Sequence, residues 1–453
     1  MCAAPELELK PEIWPASATR TSSGELTIGG VGVAALAAEF GTPLYLFDQH
    51  DLLGRAKRIH EVFSAAAARV GTTATIYYAG KALLTAQIAN WMHELGLHID
   101  VASAGELAIA LAGGVPAGMI GVHGNNKSLE EIERAVRVGV GSIVLDSPIE
   151  IERVAETAAR LGTVQPVRLR VNSGVHAHTH EFLATAHEDQ KFGVSMATAP
   201  ELVARIRSLP SLSFLGLHCH IGSQIFDANG FAESAARLLE LQRELLSDGP
   251  VPELNLGGGF GVAYIETDSP SPIEQLAESI CQTVATEAAR LGIAAPALVF
   301  EPGRWIVANP GITLYEVGTV KPVKLEDGRS RLYVSVDGGI SDNARPMLYN
   351  AQYTSRIASR RSRAAPALSR VVGKHCEAGD ILIHDADLPA DIAPGDLLAV
   401  AATGAYGHSL ANNYNALLRP AIVAVADGQA RLLVRRETEA DLLARDLGVL
   451  ENH

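Results

Sequence analysis

The stretch Ser142–Asn172, SIVLDSPIEIERVAETAARLGTVQPVRLRVN, decides how the rest of the chain is read. It opens on a short apolar run and closes on a second β-prone run. Between them, apolar residues recur at three- and four-residue spacing, the mark of an amphipathic helix. The same alternation extends in both directions. TIYYA (from Thr75), HIDVA (from His98), MIGVH (from Met119) and SIVLD (from Ser142) are candidate strands. VRLRVN (from Val167), FLGLH (from Phe214), ELNLG (from Glu253) and ALVFE (from Ala297) continue the series. Eight βα units over roughly 230 residues predict a (β/α)8 barrel, whose usual size is about 250 residues. We place it at residues 48–307. The rival is an open doubly wound sheet, but the Gly-rich dinucleotide fingerprint after its first strand is missing.

Beyond residue 308 the texture changes. RLYVSVDGG, SRVVGKHCEAGDILI, GDLLAVAATGAY, RPAIVAVADG and QARLLVRRE are β-rich and punctuated by Gly, Asp and Pro. The N-terminal ELTIGG and TPLYLFD look alike. A mostly β domain built from residues 1–47 and 308–453 is therefore expected. The basic segment Ser355 to Arg370 shows no clear pattern and reads as an exposed loop or linker.

At 453 residues the chain exceeds one ordinary core, which agrees with two domains. A net charge of -14 disfavours nucleic acid or an anionic membrane as the main partner. No apolar run is long enough for a membrane span, and MCAAPELELKPEIW does not read as a signal peptide. The four cysteines are scattered without CxxC pairing, as in a reduced cytoplasmic protein.

In a barrel, residues just past the strand C-termini line the active site. Here they are Lys81, Asp100, His123, Asp146, Asn172, His220 with Ser223, Gly257–Gly259, and Glu301–Arg304. An amine, several carboxylates, an imidazole, a glycine cradle and an arginine form a chemically biased set. Phosphates often bind at the loops after strands seven and eight, where glycines let backbone N–H groups approach. The triple glycine alone reads equally as a flexible turn. Opposite an amine, it points to a phosphorylated aldehyde cofactor, held by Lys81 as pyridoxal phosphate is held by lysines. Glu301 then suits the cofactor's ring nitrogen, and His220 suits a place against its face.

Nine strings in order resemble the diaminopimelate decarboxylase family, the lysine-forming branch of the alanine-racemase-like pyridoxal-phosphate decarboxylases. They are YYAGKA, GNNK, HAHTHEFLATAHEDQKFG, GLHCHIGSQIFD, NLGGGFG, EPGR, VDGGISDNARPMLYNAQY, GKHCEAGDIL and GAYGHSLANNYN. The resemblance runs from about Pro43 to RRETEADLL. It implies loss of CO2 from the D-configured centre of meso-diaminopimelate to give L-lysine. It makes Lys81 the Schiff-base lysine, Glu301 the ring-nitrogen partner and His220 the stacking residue. Ser223, Gly257, Gly258, Gly259, Gly303, Arg304 and Tyr406 become the phosphate and cofactor contacts. Cys376 matches the proton donor. Arg304, Arg345 and Tyr349 match the residues that hold the distal carboxylate, Glu377 the one that holds the distal amine, and Tyr406 is also a substrate-binding residue. The resemblance also implies a homodimer in which Cys376 and Glu377 serve the neighbouring subunit's site.

The residues agree with that substrate. Paired arginines recognise a carboxylate by bidentate hydrogen bonds, whereas an ornithine decarboxylase needs a site for an amine only. A decarboxylase of a related basic amino acid, or a non-catalytic cofactor-binding homologue, is the alternative. The alternation His176, His178, His180, with His187 nearby, has zinc-ligand chemistry, but the family carries a similar loop without a metal, and none is expected. Cys219 is expected to face the barrel wall as a small apolar residue. His408, Leu83 and the VNSG string depart from the family's commoner residues.

Overall fold

In the computed structural model of the chain, residues 9–175 and 191–449 are described. The four histidines of the 176–187 string lie outside the described residues. The chain divides into two compact units, Arg55–Gly261 with Ser269–Trp305, and the remainder, which includes Val262–Asp268.

The first unit is the barrel. Its strands are β1 (Ala74–Ala79), β2 (His98–Val101), β3 (Ile120–Val122), β4 (Ser142–Leu145), β5 (Gln165–Asn172), β6 (Leu212–His218), β7 (Glu253–Asn255) and β8 (Ala297–Phe300). All neighbours are parallel, and the ring closes where Phe300 of β8 registers with Ile76 of β1. Strands covered on both sides need apolar residues on both faces, which is why they read as continuous Ile, Val and Leu runs rather than as alternations. One polar layer crosses the interior. Arg168 donates to Glu253 at 2.7 and 2.9 Å and to Ser142 Oγ at 2.6 Å, and its guanidinium lies over the Tyr77 ring. Gly121 leaves room beside it, because a Cβ there would sit a tight 3.1 Å from that ring.

Helices begin close behind the strand C-termini. Thr85, Ser103 and Ser128 each accept an N–H from the first turn of Ala86–Glu94, Ala104–Ala112 and Leu129–Val138. At the last of these, Glu131 returns the bond to the Ser128 N–H, completing a capping box. Capping fixes where each βα loop ends and so holds the rim to a set geometry.

The second unit is a β-rich body. Its long strand Gly311–Lys324 pairs with Leu44–Asp48, Leu397–Val400 and Ser330–Val336. Trp14, Leu26, Leu46, Ile312, Leu314 and Val423 are among its core residues. The expected loop at Ser355 to Arg370 is corrected here. Ser355–Ile357 pairs with Leu397–Val400, and Pro366–Val372 pairs with Ser330–Val336 and Ile381–Pro389. Its arginines hid this pattern, since Arg360 binds Asp396 at 2.7 and 2.8 Å instead of marking a free basic surface.

Asp342 is a charge-sensitive point of this unit. Its carboxylate accepts the Tyr315 hydroxyl and the Gly339 N–H (2.7 Å), and its backbone carbonyl accepts the Tyr45 hydroxyl at 2.5 Å. Burial pushes the carboxyl from its ordinary 3.8 up to about 7, despite the lowering by those hydrogen bonds. Between about pH 4 and pH 7 the folded state keeps a proton that the unfolded chain has lost. Stability therefore falls as pH rises through that window, by a contribution on the order of 4 kcal/mol, and is flat above it. Asp342→Asn should flatten this slope in thermal melts across the window. Parallel melting curves for variant and wild type would contradict the assignment.

Candidate active site

The barrel's C-terminal rim gathers the residues read from the sequence. Lys81 stands exposed in the short 3-10 turn Gly80–Ala82 directly after β1. That turn is fixed from below by the Tyr78 hydroxyl, which donates to the Leu83 carbonyl. It is fixed from the side by the Ala79 N–H, which donates to the Pro302 carbonyl at 3.0 Å. Gly303 is needed at this junction, because a Cβ there would lie 2.9 Å from the Ala79 carbonyl oxygen. The Lys81 turn and the Glu301–Arg304 turn are thus one packed substructure.

The triple glycine follows β7 and forms a tight cradle. A Cβ at Gly257, Gly258 or Gly259 would come within 2.6, 1.9 or 2.3 Å of a backbone oxygen of Cys219, Glu301 or Gly222. Side chains are excluded at all three positions, so the flexible-turn reading gives way to a built backbone surface. Gly257 and Gly259 have φ of 68° and 112°, which glycine adopts freely. Beside the cradle, Arg304 donates to Ser223 Oγ at 2.8 Å. His220, half-buried, has Nδ1 3.4 Å from the Gly258 N–H. Burial and then the Lys81 charge hold its ring well below ordinary histidine, hence neutral. A phosphate acceptor surface, a flat neutral ring and an exposed amine fit pyridoxal phosphate.

Glu301 is the buried anion of the rim. Asn255 Nδ2 donates to Oε1 at 2.6 Å, and His218 Nε2 lies 3.2 Å from Oε2. His123 Nε2 lies 3.3 Å from Oε1 and 3.5 Å from Asp100 Oδ1. Burial opposes ionisation of Glu301, but the charge His123 and His218 would gain on protonation, with the His218 and Asn255 hydrogen bonds, outweighs it and holds the carboxyl well below the usual range. Burial and the Glu301 charge push the Asp100 carboxyl well above its own range, against the pull of Lys81. Burial also keeps both histidines below their ordinary value. The cluster therefore carries one negative charge, on Glu301. His123, His218 and Glu301 present ligand atoms within 4.8 Å of one another, as a metal would need. A metal-bound imidazole normally donates its other N–H to an acceptor, whereas His218 Nδ1 is buried with no partner among the described residues. Hydrogen bonding to Glu301 accounts for the arrangement.

His218 and Asn255 were not singled out from the sequence. Two signals were present. In His218-Cys219-His220 the strand period puts both histidines on one side, and Asn255 lies two residues before the cradle. Cys219 is buried against Ser173 and Ser234, away from both imidazoles' roles.

In the second unit, Arg345 opens the short helix Arg345–Tyr349, which the left-handed Asn350 ends. Its side chain is buried and donates to the Tyr353 hydroxyl at 2.6 Å. The guanidinium lies 4.9, 5.7 and 6.0 Å from the ring centres of Tyr264, Tyr353 and Tyr406. Among the described residues no carboxylate pairs with it. Tyr406 holds a left-handed φ of 61°, a strained backbone of the kind found where a side chain must be aimed. Tyr349 is 66 % exposed, with Met347 and Leu348 beside it equally open.

Cys376 and Glu377 stand exposed on the loop Lys374–Gly379. Asp380 braces this loop, accepting the His375 N–H and the Ile340 N–H, each at 2.8 Å. Gly339 and Gly373 are small because a Cβ at either would strike the Asp380 carboxylate, at 2.5 and 2.1 Å. Asn415 Oδ1 accepts the Cys376 N–H at 3.2 Å. Cys376 is thereby presented on a rigid backbone with its thiol to solvent.

Residues 56–308 match the family model for the pyridoxal-dependent decarboxylase, pyridoxal binding domain. The diaminopimelate decarboxylase of Mycobacterium tuberculosis is 48 % identical, over 97 % of this chain and 99 % of its own. That of Bacillus subtilis is 42 % identical, over 94 % and 95 %. The crystal structure of diaminopimelate decarboxylase from M. jannaschii in complex with L-lysine superposes with a TM-score of 0.88. It is 31 % identical and is matched over 95 % of this chain and 98 % of that one.

Proposed function

This chain belongs to the diaminopimelate decarboxylases, and we propose how its residues divide the work of converting meso-2,6-diaminopimelate to L-lysine and CO2. It is a pyridoxal-phosphate-dependent carbon–carbon lyase. The observation that carries the assignment of roles is the pairing of an exposed lysine with a side-chain-free glycine cradle on one barrel rim.

Pyridoxal phosphate, when bound, supplies an electron-poor ring that accepts the electron pair released as the substrate carboxylate departs. Lys81 offers the amine that anchors its aldehyde. The Gly258 and Gly259 N–H groups and Ser223, oriented by Arg304, receive the phosphate, while the Gly257 N–H is held by Asn255. His220, neutral and held at the cradle, covers the ring face. Glu301 keeps a negative charge where the ring nitrogen needs one. Arg345 binds the substrate's distal carboxylate in its aromatic enclosure, together with Arg304, Tyr349 and Tyr406. Glu377 takes the distal amine. Cys376 returns a proton to the α-carbon, and the Lys81 amine assists that transfer.

The reading includes a homodimer with shared sites. The exposed side chains of Met347, Leu348 and Tyr349 support it, since three adjacent uncovered apolar groups are the composition of an interface. A Cβ placed at Gly379, on the Cys376 loop, would lie 3.8 Å from Met347 Cε, so a copy that covers this helix also reaches the loop. No helix among the described residues is long and apolar enough to cross a membrane, and a cytoplasmic biosynthetic enzyme is the reading we propose.

Mixed dimers test the sharing. Lys81→Ala and Cys376→Ala proteins, each inactive alone, should regain roughly a quarter of wild-type activity when unfolded and refolded together, because one site of each mixed dimer is intact. No recovery, with mixed dimers demonstrated by differential tagging, would show that Lys81 and Cys376 act from the same chain.

A further inference from the structure

Glu301 is surrounded by hydrogen-bond donors. Oε1 receives the Asn255 amide at 2.6 Å and faces His123 Nε2 at 3.3 Å, and Oε2 faces His218 Nε2 at 3.2 Å. The donor sense of Asn255 and of His218 is fixed by their other contacts. Asn255 Oδ1 accepts the Gly257 N–H at 2.8 Å, so its NH2 must point at Glu301. His218 Nδ1 has no partner among the described residues. A proton placed there would leave an unsatisfied N–H and turn the Nε2 lone pair onto a carboxylate, so the proton belongs on Nε2. His123 meets His218 edge to face, with ring centres 5.1 Å apart, which orients the second imidazole on the same carboxylate.

This arrangement bears on where a proton can rest. A protonated Glu301 would aim its O–H at Asn255 or His218, which are themselves donors. Neither imidazole adds a positive charge, because burial keeps both neutral. Resting on the reading that Glu301 faces the cofactor's ring nitrogen, we propose that His218 and His123 are positioning residues that keep Glu301 a carboxylate, so that the proton it shares resides on the ring. They act through Glu301 and touch neither substrate nor reacting carbon. A buried carboxyl without these donors would hold the proton itself and hydrogen-bond to an uncharged ring, which is a poorer electron acceptor.

The experiment loads wild type, His218→Leu and His218→Gln with pyridoxal phosphate labelled with 15N in the ring, and follows that resonance across neutral pH alongside kcat. In wild type the nitrogen is protonated throughout. In His218→Leu it shifts toward the unprotonated position, and kcat falls about tenfold, the equivalent of one pKa unit at the ring. In His218→Gln, whose amide N–H can still donate, both return toward wild type. A folded, cofactor-loaded His218→Leu protein whose ring nitrogen stays protonated as in wild type overturns the proposal. If that variant does not fold, His123→Leu is read by the same criterion. An unprotonated nitrogen in wild type itself would instead overturn the pairing of Glu301 with the ring, on which the proposal stands.

Discussion

Lys81→Ala is expected to lower kcat for diaminopimelate by at least about 10^4-fold, the scale seen when the covalent group of a catalytic constellation is removed. The protein should also lose the visible absorbance of a covalently held cofactor. The fold should survive, because Lys81 is exposed and its removal opens no cavity. The backbone of its turn is fixed instead by the Leu83 and Pro302 carbonyls. Circular dichroism separates the two effects. A Lys81→Ala protein that keeps both turnover and the absorbance would remove Lys81 from the chemistry.

Arg345→Ala is expected to raise KM for diaminopimelate with a smaller effect on kcat. Truncating one side of a buried, hydrogen-bonded charge pair costs about 3 kcal/mol, or roughly a hundredfold in kcat/KM. A buried guanidinium is ordinarily paired with an acid, yet Arg345 contacts three tyrosines and no carboxylate among the described residues. Burial opposes its charge, but the surrounding phenols more than compensate and keep its pKa raised. It is held ready for an anion that arrives with the substrate. Arg345→Lys should recover only part of the loss, because a point charge cannot reproduce the planar fork. Unchanged KM in Arg345→Ala, with the protein folded, would place the distal carboxylate elsewhere.

The barrel was legible because its signals are local. Each strand carries its own apolar run and each helix its own periodicity, so Ser142–Asn172 could be read without knowledge of the rest. Lys81, Glu301 and the glycines were legible for the same reason, since each follows directly on a strand. What escaped depends on partners far away in the chain. Ser355–Ile357 became a strand through pairing with Leu397–Val400, and its neighbour Arg360 is neutralised by Asp396. Val262–Asp268 leaves the barrel unit between two barrel segments, and nothing in its composition announces this. Gly339 and Gly373 look like loop glycines until Asp380 is seen to fill the space beside both. His218 lies inside a strand, and its tie to Glu301 joins the end of β6 to the turn after β8, 83 residues on in sequence. Asn255 joins a local contact, the Gly257 N–H two residues on, to a distant one at Glu301, and only the distant one reveals its part.

The substrate is decided by incubating the purified protein with pyridoxal phosphate and each of three amino acids: meso-diaminopimelate, L-ornithine and L-arginine. Released CO2 and the amine product are measured for each. CO2 and L-lysine are expected in equal amounts from diaminopimelate, and neither CO2 nor diamine from the other two. Release of CO2 from ornithine or arginine at a rate matching diaminopimelate, or none from diaminopimelate by a folded, cofactor-loaded protein, would contradict the assignment.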